Sequence, residues 1–176
     1  TINLADASGT SDEVTVNVAS DDDVDPTTLT ALEAADVETI NLNLTAAQDI
    51  DGGDEVEVGE ITTAAAAVIV TGDADAALGG GTDLTNTDID ASDATGDLTI
   101  DLGAEDQDVT GGSGDDTITG AGGADSMTGG DGDDTFVYTN IDQSVANTLD
   151  VITDFNSSGD DEIDLSALTN ASLSTS

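Results

Sequence analysis

Residues 111–137 read in nines as GGSGDDTIT, GAGGADSMT and GGDGDDTFV, with no insertion between copies. Each copy opens on a glycine-rich loop of six residues, carries an aspartate at its sixth place (Asp116, Asp125, Asp134), and has an apolar residue at its eighth (Ile118, Met127, Phe136). Nothing else in the chain restricts its fold as strongly. A nine-residue unit cannot bury an apolar face alone, so copies must stack on one another. Glycines at the first, second and fourth places permit positive φ, which lets the loop turn tightly and aim carbonyl oxygens inward with no Cβ in the way. A plain glycine-aspartate linker would not keep the apolar position in phase through all three copies.

The period extends backwards. LGAEDQDVT, residues 102–110, keeps Val109 at the eighth place but has Gln107 where an aspartate is expected; DATGDLTID, residues 93–101, keeps Gly96 at the fourth place and Ile100 at the eighth. The strand spacing therefore starts earlier than the acid-bearing loops do.

This pattern resembles the GGxGxDxUx nonapeptide of the RTX family. The resemblance implies an all-β fold, a parallel β-roll or β-helix solenoid with calcium-binding loops, in which two nonapeptides make one coil. Loops two repeats apart would then stack on the same edge and share an ion. The loop Gly111–Asp116 should lie on the loop Gly129–Asp134, with Asp116 and Asp134 both reaching the metal, while Gly120–Asp125 sits on the opposite edge and departs from the pattern at Ala121 and Gly122. Its partner is sought in residues 102–110, where Asp106 or Glu105 is the substitute acid. Calcium takes six to eight hard oxygens at about 2.3–2.6 Å in irregular geometry, more than one loop can supply. The candidate metal positions are Gly111, Ser113, Asp115 and Asp116; Gly120, Gly122, Ala124 and Asp125; Gly129, Asp131, Asp133 and Asp134; and, further on, Asp154 and Asp161.

Charge gives an independent reason to expect a metal. The 176 residues include 40 acids and no Lys, Arg or His, for a formal charge of −40. No side chain can form a salt bridge, and exposed like charges repel over a screening length of about 8–10 Å. With few aromatics the chain lies near the compositional border of disorder. A calcium site at about a hundred times its dissociation constant would add roughly 2.7 kcal/mol to the folded state. Two to four such sites match the usual net stability of a domain, about 5–15 kcal/mol. Disorder without calcium and folding with it are the expected behaviour. Extracellular calcium modules bind at about 10⁻⁴–10⁻³ M, which suits secreted fluid and not cytosol.

The same composition excludes several classes. There are no cysteines, hence no disulfides or thiolate metal sites. Without basic residues the chain has no footing on nucleic acid or anionic lipid, and no apolar run approaches the length of a membrane span. Catalysis is not expected, because general acid-base and nucleophilic chemistry lean on His, Cys or Lys, all absent here. The sequons at Asn43, Asn156 and Asn170 are expected by chance in such a chain, and no glycan is assigned to them.

Taken in order, TINL at the start and EVTVNV (residues 13–18) alternate like strands. Asp25-Pro26 reads as a helix start, with Asp25 as N-cap and Pro26 in the first turn, and predicts a short helix over residues 26–35. Strands are predicted at residues 37–45, 54–61, 67–74, 84–92 and 97–102, separated by Gly and Asp clusters. The succession VETINLNLT, VIVTGDADAAL and LTNTDIDASDATGDLTIDL is similar to the repeat regions of RTX-type bacterial surface-layer proteins and adhesins. After Val137 the repeat spacing fails. TLDVITDFNSSGDDEIDLSAL (residues 148–168) resembles the segment that closes RTX rolls, with Ile152, Phe155, Ile163 and Leu165 covering the last coil and Asp150, Asp154, Asp161 and Asp164 as candidates for a terminal calcium. The expected division is a surface-layer-like solenoid over residues 1–92, a calcium roll over 93–147 with its core at 111–137, and a cap over 148–176.

Two functions follow from the resemblance. The first is a calcium-dependent extracellular structural protein that self-associates into a homo-oligomer, surface layer, sheath or filament on a bacterial cell, with cell-surface polysaccharide as a further candidate partner. The second is a calcium-triggered folding and type I secretion module of a larger secreted enzyme, toxin or adhesin. Either is exported without a cleaved N-terminal signal. The start at Thr1, with no Met and no signal peptide, is expected of a segment of a longer or processed protein.

Overall fold

The computed structural model describes residues 2–4, 12–19, 27–34, 37–46, 56–63, 67–79, 84 and 87–168. Among these residues every regular element is a strand. In chain order they are β1 (Ile2–Leu4), β2 (Glu13–Ala19), β3 (Thr27–Ala34), β4 (Thr39–Thr45), β5 (Val56–Thr63), β6 (Ala67–Gly72), β7 (Ala76–Leu78) and β8 (Asp88–Ala94). They continue as β9 (Leu98–Asp101), β10 (Asp108–Thr110), β11 (Thr117–Thr119), β12 (Ser126–Thr128), β13 (Thr135–Val137), β14 (Val151–Ile152) and β15 (Glu162–Asp164).

Odd strands form one sheet in the order β1-β3-β5-β7-β9-β11-β13-β15, and even strands form the other in the order β14-β12-β10-β8-β6-β4-β2. The chain crosses from sheet to sheet at each loop, so every strand pairs in parallel with the one two further on. The fold is a parallel β-solenoid of the roll type, as the nonapeptides imply.

Coil length changes along the stack. Glu13 pairs with Thr39 and Thr27 with Val56, coils of 26 and 29 residues. Ala76 pairs with Leu98, a coil of 22. In the nonapeptide region Thr99 pairs with Thr117, Asp108 with Ser126 and Thr117 with Thr135, each 18 residues apart. Two nonapeptides therefore close one coil.

The core narrows in step. Strand side chains alternate between faces, so a longer strand sends more of them inward. The seven-residue β4 buries Ile40, Leu42 and Leu44, β6 buries Val68 and Val70, and each three-residue strand of the repeats buries one residue: Val109, Ile118, Met127 or Phe136. Between β6 and β8 the register slips after Ile69, giving β8 one extra residue. Ala94 still turns inward beyond this bulge, while Ser92 and Asp93 stay exposed.

The helix expected at residues 26–35 is not formed. Residues 27–34 are β3, paired with both β1 and β5 in parallel register. The local helix-start signal loses to two flanking strands, which supply backbone partners along the whole segment and bury Leu32 completely. Asp25 and Pro26 themselves lie outside the described residues. A strand not expected from the sequence, β7, fills the sheet between β5 and β9.

Candidate metal centre

The site is built on the two edges of the roll. On the first edge lie the loops at residues 93–98, 111–116, 129–134 and 156–161; on the opposite edge lie those at 102–107 and 120–125, followed by Asp150. The expected stacking holds: β11 pairs β13 with Ile118 opposite Phe136, while β10 pairs β12 on the other sheet. The partner of the Gly120–Asp125 loop is the 102–107 loop, through Gly122 N–H donating to the Gly103 carbonyl.

Close approach, more than positive φ, explains most of the loop glycines. A Cβ on Gly114 would lie 2.5 Å from the Gly96 carbonyl oxygen, one on Gly132 would lie 2.2 Å from that of Gly114, and one on Gly159 would lie 1.7 Å from that of Gly132. These fourth-place glycines form a column in which each coil rests on the carbonyl above. Gly123, Gly130, Gly132 and Gly159 do adopt positive φ, and Ala121, at a place the pattern gives to glycine, sits at φ 52°.

Two columns of aspartates run beside the glycines on the first edge. The outer one uses fifth-place residues: Asp97 N–H donates to Asp75 Oδ1, Asp115 N–H to Asp97 Oδ1, Asp133 N–H to Asp115 Oδ1 and Asp160 N–H to Asp133 Oδ1, at 2.8–2.9 Å. These aspartates are exposed. The inner one uses the sixth place. Leu98 N–H donates to Asp116 Oδ1, Asp116 N–H to Asp134 Oδ1 and Asp134 N–H to Asp161 Oδ1, at 2.8, 2.9 and 3.2 Å. The opposite edge repeats the inner pattern, with Gln107 N–H donating to Asp125 Oδ1 and Asp125 N–H to Asp150 Oδ1.

Asp116, Asp125 and Asp134 are each only 1 % exposed. Burial is the main cause that raises their pKa, to about 6, 7 and 6 respectively, and it outweighs the amide hydrogen bonds that pull the other way. Neighbouring carboxylates add to the rise: Asp134 and Asp97 at Asp116, Asp150 and Asp106 at Asp125, and Asp161, Asp154 and Asp115 at Asp134. Tyr138 faces Asp150, and its hydroxyl is pushed well up, first by burial and then by that carboxylate.

The second oxygens test the fit of a cation. Asp125 Oδ2, Asp134 Oδ2 and Asp150 Oδ2 are buried with no hydrogen-bond partner. They point at loop glycines. A Cβ on Gly120 would meet Asp125 Oδ2 at 3.3 Å and Asp150 Oδ2 at 3.6 Å, one on Gly129 would meet Asp134 Oδ2 at 2.0 Å, and one on Gly111 would meet Asp116 Oδ2 and the Gly129 carbonyl oxygen, both at 2.3 Å. Asp125 Oδ2 and Asp150 Oδ2 thus share the space beside Gly120 on one edge, and Asp134 Oδ2 lies beside Gly129 on the other. Buried acceptors without a donor carry a desolvation cost that a hard cation would offset. Among the described residues no three His, Cys, Asp or Glu side chains form a metal cluster. Any cation here must draw its remaining oxygens from loop carbonyls, which suits calcium better than ions that demand strict geometry.

The remaining candidates are placed as follows. Gly111, Gly120 and Gly129 line the cradles; Asp115 and Asp133 belong to the outer column; Asp131 and Ser113 are exposed, Ser113 reaching the Ala94 carbonyl. Gly122 and Ala124 bind the coil above through their backbone N–H groups, Ala124 to Asp106 Oδ1 at 2.8 Å. Glu105 stays exposed, its carbonyl above Gly123. Asp154 accepts the N–H groups of Gly129 and Gly130 at 3.0 and 2.9 Å, and Asp164 Oδ1 accepts Ser166 N–H.

The nine-residue spacing is lost after Val137, where Thr135 pairs with Glu162 across 27 residues, yet the stack of coils continues. Gly159, Asp160 and Asp161 lie beneath Gly132, Asp133 and Asp134, and Ile163 pairs with Phe136. The Gly-Asp-Asp triplet shared by residues 114–116, 132–134 and 159–161 was the available signal. The cap covers the last coil only in part: Ile152 packs on the core and the Phe155 ring lies 6.4 Å from that of Phe136, but Ile163 and Leu165 remain 43 % and 51 % exposed.

The family model described as peptidase M10 serralysin C terminal matches residues 36–175. No curated protein and no solved structure matches the chain significantly. With stacked nonapeptides on a parallel roll and a family match over well more than half its length, the chain belongs to the serralysin C-terminal family, the RTX-repeat β-roll.

Proposed function

We propose that this chain is the calcium-triggered folding and type I secretion module of a larger secreted protein, and that it has no catalytic role of its own. The observation that carries the reading is the set of buried, partnerless oxygens on Asp125, Asp134 and Asp150. Asp116, Asp125, Asp134, Asp150 and Asp161, with the carbonyls of the glycine loops, would hold the ions. Bound calcium would supply positive charge to carboxylates that otherwise repel one another. In low-calcium cytosol the acid-bearing coils stay unfolded, which keeps the chain fit for a narrow export channel; outside, calcium binds the ionised aspartates and these coils close. The serralysin C-terminal match favours this reading over a surface-layer protein. Circular dichroism of the purified chain tests it: parallel-strand signal should rise with millimolar calcium and fall on chelation, and an unchanged spectrum in both conditions would sink it.

A second reading, self-association into a sheet or filament, is favoured by one observation. Ile141, Val145, Leu149, Val151, Phe155, Ile163 and Leu165, the exposed large apolar residues among those described, all fall in the C-terminal segment where both sheets end. A second copy stacked there would cover them. Electron microscopy with calcium should show ordered assemblies if this holds, and dispersed particles if it does not.

A further inference from the structure

Gln107 occupies a sixth place where the other acid-bearing loops have aspartate, yet it is as deeply placed, at 2 % exposure. Its backbone keeps the same ladder, with N–H donating to Asp125 Oδ1 at 3.0 Å. Its side-chain oxygen keeps the same local bond: Gly103 N–H donates to Gln107 Oε1 at 2.7 Å, just as Gly112 N–H donates to Asp116 Oδ2 at 2.7 Å. The difference lies in the other half of the head group. Gln107 Nε2 donates to the carbonyls of Leu84 and Thr87 in the coil above, 23 and 20 residues earlier. A carboxylate facing those carbonyls would meet acceptor with acceptor, as Asp125 Oδ2 and Asp134 Oδ2 do in finding no donor.

We infer that Gln107 stands in for a calcium ion: its carboxamide closes the coil between residues 84 and 107 with neutral hydrogen-bond donors, so this coil folds without metal and templates the calcium-dependent coils below it. This rests on the calcium reading of the aspartate loops. The amide provides two hydrogens to two carbonyl oxygens, which is part of what a cation would do between the same loops, and it adds no charge to a chain that already carries −40. Leu98, the sixth-place residue on the other edge, is buried and apolar. Both edges thus change from metal-free to acid-bearing between residues 98–107 and 116–125.

Hydrogen-deuterium exchange of the whole chain tests the inference. In chelator, amides of β8 and β10 should stay protected while those of β11, β13 and β15 exchange freely; with calcium all should be protected. Protection absent from β8 and β10 in chelator, but restored by calcium, would overturn the inference and leave the calcium reading standing. Protection everywhere in chelator would overturn the calcium reading itself. Gln107→Glu should abolish the chelator-resistant protection and add one bound calcium per chain by equilibrium dialysis. Unchanged protection and stoichiometry would also overturn the inference. Should the Glu variant fail to fold even with calcium, Gln107→Met, similar in bulk but without donors, decides: retained protection in chelator counts against the role given to the amide.

Discussion

The long coils of β2–β6 and the 18-residue coils of β9–β13 belong to the same two sheets but are held by different forces. In the first region a strand such as β4 sends three aliphatic side chains inward, each contributing about 1.5–3 kcal/mol when fully buried. Its outer face adds polar ladders, with Asn43 Nδ2 donating to Asn17 Oδ1 and Thr71 Oγ1 reaching Asn43. In the second region each three-residue strand buries a single residue, and the sixth-place aspartates pin each coil to the next through backbone N–H groups. Shortening a solenoid coil to 18 residues thus exchanges apolar burial for buried charge, and buried charge makes stability conditional on what neutralises it.

A pair of substitutions should separate the two regimes. Leu42→Ala, at a fully buried position, should cost about 2–5 kcal/mol of thermal stability and leave the calcium midpoint of folding unmoved. Asp134→Ala removes the acceptor of the Asp116 N–H bond together with a cradle oxygen. Hydrogen bonds to charged groups are worth about 1.5–3 kcal/mol, so the calcium midpoint should rise about ten- to hundredfold. Midpoints that shift equally in both variants would mean the two regions fold as one metal-linked unit and would remove the contrast.

Proton linkage sharpens the contrast without any mutation. The folded-state pKa values of Asp116, Asp125 and Asp134 lie at about 6, 7 and 6, raised from 3.8. In the absence of metal the folded repeats therefore bind more protons than the unfolded chain between these limits. Their stabilising contribution is full below about 3.8 and is lost as pH rises through about 6 to 7. Chelated protein should gain strand signal in β11–β15 on acidification from about pH 8 to about pH 5, whereas calcium affinity should fall over the same range because protons compete for the ligands. Exchange-detected protection that grows with pH in chelator would contradict the burial of these carboxylates.

Much of this was legible in the sequence, because nine-residue periodicity is a statement about stacking. The all-β roll, the two-repeat coil, the stacking of Gly111–Asp116 on Gly129–Asp134 and the opposite edge for Gly120–Asp125 follow from residue spacing and the family resemblance. What was not legible depends on partners distant in sequence. Residues 27–34 carry a helix-start signal just before them, and only β1 and β5 make them a strand. The returning repeat at residues 156–164 is hidden because Asn156-Ser157-Ser158 replaces its opening glycines and because its coil spans 27 residues instead of 18. The role of Gln107 reads in sequence as a missing ligand; its donors gain meaning only once Leu84 and Thr87 lie above them.

The two aspartate columns of the first edge offer the finest division. Asp115 is exposed, its Oδ1 accepts Asp133 N–H at 2.9 Å, and its own N–H donates to Asp97 Oδ1 at 2.8 Å. An asparagine keeps that acceptor oxygen and removes one negative charge from a column of five, so Asp115→Asn should change stability by no more than about 0.5 kcal/mol at saturating calcium. The direction should be upward, since every charge removed relieves repulsion in a chain of −40. Asp115→Ala, which deletes the acceptor, should cost about 1 kcal/mol. Thermal melts of the two variants read this directly. A calcium midpoint displaced by Asp115→Asn as far as by Asp134→Ala would move the outer column into the metal site, and the division between a structural column and a binding column would be lost.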